Sequence, residues 1–267
     1  MEYIWNITGK CNYSCNYCWD KYKNIKEASL ASIYAFIDNS IDKNDKIILT
    51  GGEPFVYSSI FKLINKLKEK NIANITICTN GSLLDKYQNE IIDSGINEIQ
   101  ISYDKFNDKI FNSIKKINKS IKVVLVFLIN KNTFEDIFDA VEITKSNNLF
   151  FAFQFETSNT EWQKNMKKSE LLCLYDKLEL LYRNNKDIMD VYNYNYIKIC
   201  KNFYIKGIKP DKCYCGISSK VITPNLKIEN CYWSKKNDLP NCFNEKCLVW
   251  FRYDNRLRKV YKLFSDD

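Results

Sequence analysis

Three cysteines near the start of the chain lie close enough together to serve one inorganic centre. Cys11, Cys15 and Cys18 follow the pattern C-x3-C-x2-C. Three thiolates suit a cubane iron–sulfur cluster and leave its fourth iron open to a further ligand. A tetrahedral zinc site needs four ligands, and the chain has no histidine to add one. Thiols buried as small apolar side chains are the remaining alternative.

A second motif, Thr50-Gly51-Gly52-Glu53-Pro54, follows a short apolar run at residues 46–49. Paired glycines after a strand are typical of a tight turn. They also suit binding, because a residue without a Cβ atom lets its backbone approach a ligand closely. A glycine carbonyl can accept from an ammonium group, and Glu53 adds negative charge nearby. The motif therefore indicates either a turn or a contact with a cationic group.

Strand and helix patterns alternate along the chain and would position these motifs. Thr133 is the expected N-cap of the fifth helix, with Asp136 three residues later. Such a series predicts a parallel α/β sheet with right-handed crossovers and its chemistry at the carboxyl ends of the strands. The predicted strands are 3–7, 46–49, 75–79, 98–102, 122–129 and 149–155, and the predicted helices are 30–38, 57–70, 83–94, 107–117 and 133–146.

Polar residues follow several of these strands. Asn80, Ser102 and Asp104 stand at the ends of the third and fourth predicted strands, on the edge that also receives the cysteine motif. Short polar side chains at such positions often cap a helix or form a turn. Contact with a ligand is the functional alternative.

The joint occurrence of C-x3-C-x2-C and Gly-Gly-Glu-Pro resembles the radical S-adenosylmethionine enzymes. The resemblance implies a partial (β/α)6 TIM-like barrel and a 4Fe-4S cluster on the three cysteines. It also implies S-adenosylmethionine bound at the open iron. By resemblance the cofactor-binding residues are Tyr17 beside the adenine, Gly51, Gly52 and Glu53 at the methionine amino group, Ser102 near the ribose, and Asn80. Asp104 would face the substrate.

Cysteines crowd together again near the end of the chain. Residues 220–231 predict a β-hairpin with Pro224-Asn225 at its turn, which would bring Cys231 beside Cys213 or Cys215. Cys242 and Cys247 would complete four ligands. This region resembles the twitch, or half-SPASM, domain, which holds one auxiliary 4Fe-4S cluster. A four-cysteine zinc site is the alternative.

The resemblance covers the whole chain and implies four segments. These are a radical barrel at 1–165, a bridging helix at 166–194, an auxiliary-cluster domain at 195–250 and a C-terminal helix or tail at 251–267. Cys200 stands at the start of the third segment. By resemblance to peptide epimerases its thiol is a candidate hydrogen-atom donor, and burial in a core is the alternative.

Composition limits the partners. The net charge of +8 comes from scattered lysines rather than a dense basic run, which argues against a nucleic-acid partner. No signal-peptide pattern and no apolar run of membrane-spanning length occurs, so a cytoplasmic protein without a membrane partner is expected. Clustered cysteines in that compartment indicate metal binding or catalysis rather than disulfides.

The resemblance implies that an electron donor such as flavodoxin or ferredoxin drives reductive cleavage of S-adenosylmethionine. A 5′-deoxyadenosyl radical would then abstract a hydrogen atom from the substrate. A ribosomally made peptide or protein is the expected substrate, with epimerisation, cross-linking or oxidation as the outcome, because the tyrosine-rich segment 192–204 suits a chain. The alternatives are a small molecule such as a sugar or aminoglycoside, and a non-catalytic iron–sulfur or zinc protein.

Overall fold

The computed structural model describes residues 1–18, 21–103, 108–156, 161–209 and 215–232. Strands and helices alternate through most of this part of the chain. The strands are β1 Glu2–Thr8, β2 Lys46–Gly51, β3 Asn74–Thr79, β4 Glu98–Tyr103, β5 Lys122–Ile129, β6 Phe150–Phe155, β7 Ser219–Ile222 and β8 Ile228–Glu229. The helices are α1 Leu30–Ser40, α2 Ile60–Glu69, α3 Gln88–Asp93, α4 Asp108–Ile117, α5 Ile137–Ser146, α6 Glu161–Lys164, α7 Lys168–Asn184 and α8 Val191–Lys206.

All the strands join one sheet in the order β6-β5-β4-β3-β2-β1-β7-β8. Every pairing is parallel except that of β7 with β8. Because successive strands from β1 to β6 are neighbours, right-handed crossovers place their helices on a single face of the sheet. The structure therefore confirms the predicted parallel α/β sheet.

Side-chain alternation along the strands separates a helix-facing layer from an inner face. On the helix side, Ile47 and Leu49 of β2 are fully buried in the main core. The same core includes the apolar face of α2, whose buried residues include Leu63 and Leu67. Complete burial of each such side chain stabilises the fold by about 1.5–3 kcal/mol. The opposite side is called the inner face here, and its residues toward the carboxyl ends are Asn6, Thr50, Cys78, Gln100, Ser102, Val126, Leu128 and Gln154.

Several helices begin later than the sequence predicts, and α2 begins at Ile60 rather than at residue 57. α5 begins at Ile137, because Thr133 closes a turn after β5 rather than capping the helix. The Thr133 hydroxyl donates to the Leu128 carbonyl at 2.8 Å and accepts from the Asn130 N–H at 3.0 Å. α3 begins at Gln88, after turns that occupy residues 81–87.

Helix α8 differs most from the sequence-based interpretation. The expected boundary between residues 194 and 195 falls inside it. The Asn193 side chain bonds the backbone of Phe151 and Phe153, and the Tyr196 hydroxyl accepts from the Phe155 N–H at 3.0 Å. Asn193 and Tyr196 are therefore buried, so part of the tyrosine-rich segment 192–204 packs inside the protein and cannot meet a substrate.

The hairpin of β7 and β8 confirms that prediction, but its place in the fold differs. β7 pairs in parallel with β1, so the hairpin extends the barrel sheet instead of standing beside it. Its turn places Leu226, rather than Asn225, in the left-handed region with φ 65°. A residue with a Cβ atom is strained there, which the sequence pattern did not show.

The residues after β8 return to the inner face at β1. Tyr232 packs with Ile4, Tyr22 and Val221 in a second buried cluster. The buried side chain of Asn6 donates from Nδ2 to the Tyr232 hydroxyl. Lys21 also donates to the Tyr232 carbonyl, at 2.7 Å. These contacts hold the end of the hairpin against the first strand.

No helix in the described ranges is long and apolar enough to cross a bilayer.

Replacing Tyr232 with Phe should lower the free energy of unfolding by about 1–3 kcal/mol, because the buried Asn6 amide loses its acceptor. Urea titration of the full chain measures the effect. Tyr34→Phe is the matched control, because the Tyr34 hydroxyl makes only a long, exposed contact of 3.4 Å with Lys62. Equal effects of the two changes would contradict a stabilising role for the Asn6–Tyr232 bond.

Candidate functional site

The three cysteines of the first motif lie in the loop that follows β1. Cys11 and Cys18 are exposed, and Cys15 is partly exposed. The loop turns through a bond from the Cys18 N–H to the Cys15 carbonyl at 3.1 Å. The Tyr13 N–H donates to the Cys11 Sγ atom at 3.4 Å, a contact that favours a thiolate. The loop thus presents accessible thiols on a backbone with defined hydrogen bonds.

The Gly-Gly-Glu loop after β2 packs directly against the cysteine loop. The Gly52 N–H donates to the Thr8 carbonyl and the Glu53 N–H to the Lys10 carbonyl, both at 2.8 Å. A Cβ atom on Gly52 would lie 2.1 Å from the Lys10 carbonyl oxygen. Gly51 has φ +145°, and a Cβ atom there would lie 2.3 Å from the Thr8 carbonyl oxygen. Glycine at both positions is what allows the two loops to touch.

The buried side chain of Glu53 connects the Gly-Gly-Glu loop to the end of β3. Its fully buried carboxylate accepts from the Thr79 hydroxyl at 2.7 Å, the Asn80 N–H at 2.8 Å and the Phe55 N–H at 3.1 Å. Burial raises the pKa of Glu53, and the three donors oppose that shift by stabilising the charged form. The carboxylate therefore ties the end of β2 to the end of β3, while the Gly51 and Gly52 backbone remains partly exposed.

Asn80 reaches the cysteine loop with its side chain. Its Nδ2 atom donates to Asn12 Oδ1 at 3.0 Å and lies 4.0 Å from Cys11 Sγ. Asn12 in turn donates to the Ser82 hydroxyl at 2.8 Å. Asn12 and Ser82 were not among the residues predicted from the sequence. The Asn80-Gly81-Ser82 turn after a strand was the available signal, since such turns favour side-chain bonds to nearby backbone.

The other predicted cofactor residues lie along the same edge of the sheet. Tyr17 is 39% exposed within the cysteine loop. Ser102 is exposed near the end of β4, on the inner face. Asp104 lies outside the described residues. The ends of β1, β2, β3 and β4 thus bring the cysteine loop, Gly51, Asn80 and Ser102 to one rim, as their positions after parallel strands require.

The donor set fits a cluster better than a single ion. Within the described ranges, no three Cys, Asp or Glu side chains converge tightly enough to hold one metal ion. A cubane needs no such convergence, since each thiolate binds a different iron. Burial raises the pKa of Cys11, and negative charge on Glu53, Cys15 and Cys18 adds to the shift. Three thiols whose charged forms would repel one another suit a shared cationic centre.

Cys200 lies in the helix layer. It is 1% exposed on α8, one turn after Tyr196, and burial raises the pKa of its thiol. Tyr196 packs on Phe153 and Phe155, whose side chains leave β6 on the helix side. The β6 strand therefore stands between Cys200 and the inner face. This placement favours the alternative of a buried core thiol over hydrogen donation.

Of the five cysteines predicted as candidate ligands of an auxiliary cluster, the described residues include two. Cys215 and Cys231 are both buried, at the two outer ends of the hairpin. Cys213, Cys242 and Cys247 lie outside the described residues.

Gly52→Ala should reduce the iron retained after reconstitution with iron and sulfide, because the new methyl group collides with the Lys10 carbonyl and separates the two loops. Iron per chain and the absorbance of the cluster measure the effect. Gly207→Ala is the control, since a Cβ atom there would meet nothing within 4 Å, and the positive φ of +68° at Gly207 adds a backbone strain that Gly52→Ala does not carry. Similar iron retention in both variants would contradict a role for the close contact between the two loops.

Cys200→Ala should lower the free energy of unfolding by roughly 1–3 kcal/mol through lost packing, while leaving cofactor cleavage and substrate turnover intact. Cys173→Ala, at an exposed site, is the matched control and should change stability little. A Cys200→Ala protein that is stable and cleaves cofactor but forms no product would instead establish Cys200 as the hydrogen donor.

Comparison of the sequence with known proteins identifies a family. The family model described as "Radical SAM superfamily" matches residues 5–154. A protein of Methanococcus maripaludis (strain C5) named "Probable GTP 3',8-cyclase" is 31% identical over 134 residues, 45% of each chain. The match spans less than half the length of this relative. The "GTP 3',8-cyclase" of Staphylococcus aureus (strain Mu3) is 33% identical over 45% of this chain, and the match covers 38% of that relative.

Solved structures share the fold over most of the chain. SuiB of Streptococcus suis, bound to the precursor peptide SuiA, aligns with TM-score 0.64 at 18% identity, over 98% of this chain and 66% of SuiB. At that identity the likeness concerns the fold alone. The family match covers more than half of the chain and includes both the cysteine loop and the Gly-Gly-Glu loop. The chain belongs to the radical SAM superfamily.

Proposed function

We propose that this protein is a radical S-adenosylmethionine enzyme whose 4Fe-4S cluster is held by Cys11, Cys15 and Cys18. The observation that carries the proposal is the docking of Gly52 and Glu53 on the backbone of the cysteine loop. That contact brings the partly exposed glycine backbone against the loop that carries the three thiols, which supports a ligand shared between the two loops.

A cluster held by Cys11, Cys15 and Cys18 would supply the electron for reductive cleavage of S-adenosylmethionine, which is the chemistry by which a hydrogen atom would be taken from the substrate. The protein's own residues hold and orient the cofactor. The Gly51 and Gly52 carbonyls would accept from the methionine ammonium group, and Tyr17 and Ser102 would contact the adenosine. Glu53 acts through position, because its carboxylate is already engaged by three donors. Asn80 steadies the loop through Asn12.

A peptide is the proposed substrate. Toward the carboxyl ends, the inner face of the described strands carries neutral side chains, among them Gln100, Ser102 and Gln154. Amide and hydroxyl groups both donate and accept, which suits a peptide backbone. SuiB, which shares the fold, was solved with a precursor peptide bound. Asp104, beyond Ser102, remains the candidate for contact with the substrate.

A small-molecule substrate is the second candidate, because the curated relatives are named GTP 3',8-cyclase. A nucleoside triphosphate carries several negative charges and needs cationic partners. On the described inner face, Lys46 pairs with Glu2 at 3.6 Å and Lys122 with Glu98 at 2.7 Å. Both pairs lie at the amino-terminal ends of the strands, away from the cysteine loop. This charge distribution supports the peptide over a triphosphate.

We further propose that Cys231, with Cys213 or Cys215 and with Cys242 and Cys247, holds one auxiliary 4Fe-4S cluster. Support comes from the hairpin, which brings buried Cys215 and Cys231 to adjoining strand ends. An external donor of the flavodoxin or ferredoxin type would supply electrons.

The proposal predicts that anaerobically reconstituted protein forms 5′-deoxyadenosine from S-adenosylmethionine and dithionite. Iron analysis should give about eight atoms per chain for two cubanes, or about four if only the first cluster forms. Cys15→Ala should abolish cleavage, whereas Cys173→Ala, at an exposed helix position, should not. A cluster-loaded protein that cleaves no cofactor, alone or with candidate peptides, would overturn the enzyme assignment. Cleavage stimulated by GTP but not by peptides would favour the small-molecule alternative.

A further inference from the structure

A short stretch of chain, residues 21–28, contacts both the cysteine loop and the hairpin of β7 and β8, and is called the connecting segment here. It begins three positions after Cys18 and ends just before α1. None of its residues is among the proposed ligands of a cluster or of the cofactor. Its contacts therefore need an explanation other than direct binding.

The first half of the connecting segment is bound to the hairpin by a carboxylate. The Oε2 atom of Glu229 accepts from Lys21 Nζ at 2.9 Å and from the Tyr22 hydroxyl at 2.8 Å. Lys21 Nζ also donates to the Tyr232 carbonyl at 2.7 Å. Because Glu229 and Tyr232 stand on either side of a buried cysteine at position 231, these bonds join the two cysteine-bearing parts of the chain.

The other end of the connecting segment contacts the hairpin and the cysteine loop at adjacent residues. The Ala28 N–H donates to the Pro224 carbonyl, in the turn of the hairpin, at 2.8 Å. The carboxylate of Glu27 accepts from the Thr8 hydroxyl and, at 3.1 Å, from Lys10 Nζ. The segment thus connects the hairpin with the residues that lead into the cysteine loop.

The backbone of the connecting segment also touches the start of the cysteine loop. A Cβ atom on Gly9 would lie 2.2 Å from the Tyr22 carbonyl oxygen. That carbonyl accepts from the Ile25 N–H at 2.9 Å. The next residue of the loop, Lys10, accepts from the Glu53 N–H at 2.8 Å. A shift of the connecting segment would therefore reach the junction between the cysteine loop and the Gly-Gly-Glu loop.

The contact between Lys21 and Glu229 is more than an isolated surface ion pair. Exposed pairs contribute little, and these two side chains are 36% and 37% exposed. The same carboxylate oxygen, however, also accepts from Tyr22, which is 2% exposed and packs in the buried cluster with Tyr232. Loss of the carboxylate would weaken the hold on a buried side chain whose carbonyl lies against Gly9.

We propose that Lys21 and Glu229 are positioning residues for the cluster on the cysteine loop. Through the connecting segment, they fix the backbone before Cys11 and after Cys18. The hairpin then belongs to the site of the first cluster, whether or not it carries a second one. The inference rests on the proposed cluster at the cysteine loop and adds residues that contact neither cluster nor cofactor.

Hydrogen exchange of the metal-free full chain tests the contact without relying on any cluster. Lys21→Met removes the cation, and Glu229→Gln removes the charge but keeps the shape. Each change should speed exchange of the hydrogen-bonded Cys18 and Glu53 N–H groups about two- to fivefold, as measured by anaerobic NMR. Lys21→Arg keeps the cation and should restore the slow exchange.

The reconstituted holoenzyme gives a second, residue-resolved measurement. An iron chelator is added together with iodoacetamide under anaerobic conditions, and mass spectrometry follows alkylation of Cys18 separately from the hairpin cysteines. Because the thiol reacts only after the cluster is lost, Lys21→Met and Glu229→Gln should raise the alkylation rate of Cys18 about two- to fivefold.

Glu98→Gln is the matched control. It breaks a partly exposed pair with Lys122 of 2.7 Å in the same sheet, at the amino-terminal end of β4. Neither the exchange of Cys18 and Glu53 nor the alkylation of Cys18 should change in this variant.

Faster exchange confined to residues 219–232, with unchanged alkylation of Cys18, would overturn the proposal by showing a purely local contact. Full multiplication of the two single effects in the Lys21→Met, Glu229→Gln double variant would also overturn it, since residues that share a contact are not independent. Failure of the proposed function has a different signature. Cys18 alkylated equally fast before and after reconstitution shows that no cluster forms there, whereas exchange in the metal-free protein still decides the role of the contact.

Discussion

The close contact between two backbone segments determines the rest of this site. The Gly52 and Glu53 N–H groups meet the carbonyls of Thr8 and Lys10, and no side chain larger than hydrogen fits at Gly52. The buried Glu53 carboxylate then fixes the same loop to the end of β3. Desolvation of that carboxylate opposes folding, and its three donors offset the cost. These hydrogen bonds therefore hold the start of the cysteine loop in place, although the cysteines themselves are largely exposed.

The sheet supports this arrangement from both sides of β1. β2 on one side carries the glycine loop, and β7 on the other side brings Tyr232 back to Asn6. The hairpin that carries Cys215 and Cys231 is thus continuous with the strand that leads into the cysteine loop. A change that displaces the hairpin would also displace β1, because the backbones of β7 and β1 are hydrogen-bonded to each other.

Local pattern predicted much of the fold and of the site. Strands with long apolar runs, such as Lys122–Ile129, are where the sequence placed them, because periodicity reports burial directly. The shared rim of Cys11, Gly51, Asn80 and Ser102 followed from their positions after parallel strands. What the sequence did not show depends on long-range contacts. The burial of Asn193 and Tyr196 requires knowing that α8 meets β6, and the pairing of β7 with β1 joins residues more than two hundred positions apart.

The two ends of the sheet are protected against further strand addition in different ways. At β6, side chains of α8 occupy backbone groups of Phe151, Phe153 and Phe155 that a foreign strand would need. At the other end, β8 comprises only Ile228–Glu229, too short to template a long pairing. A sheet of mostly parallel strands folds slowly and exposes such edges for longer than a helical protein does. In the folded protein, helix α8 therefore blocks pairing of the β6 edge with another chain, a role independent of any chemistry at the cysteine loop.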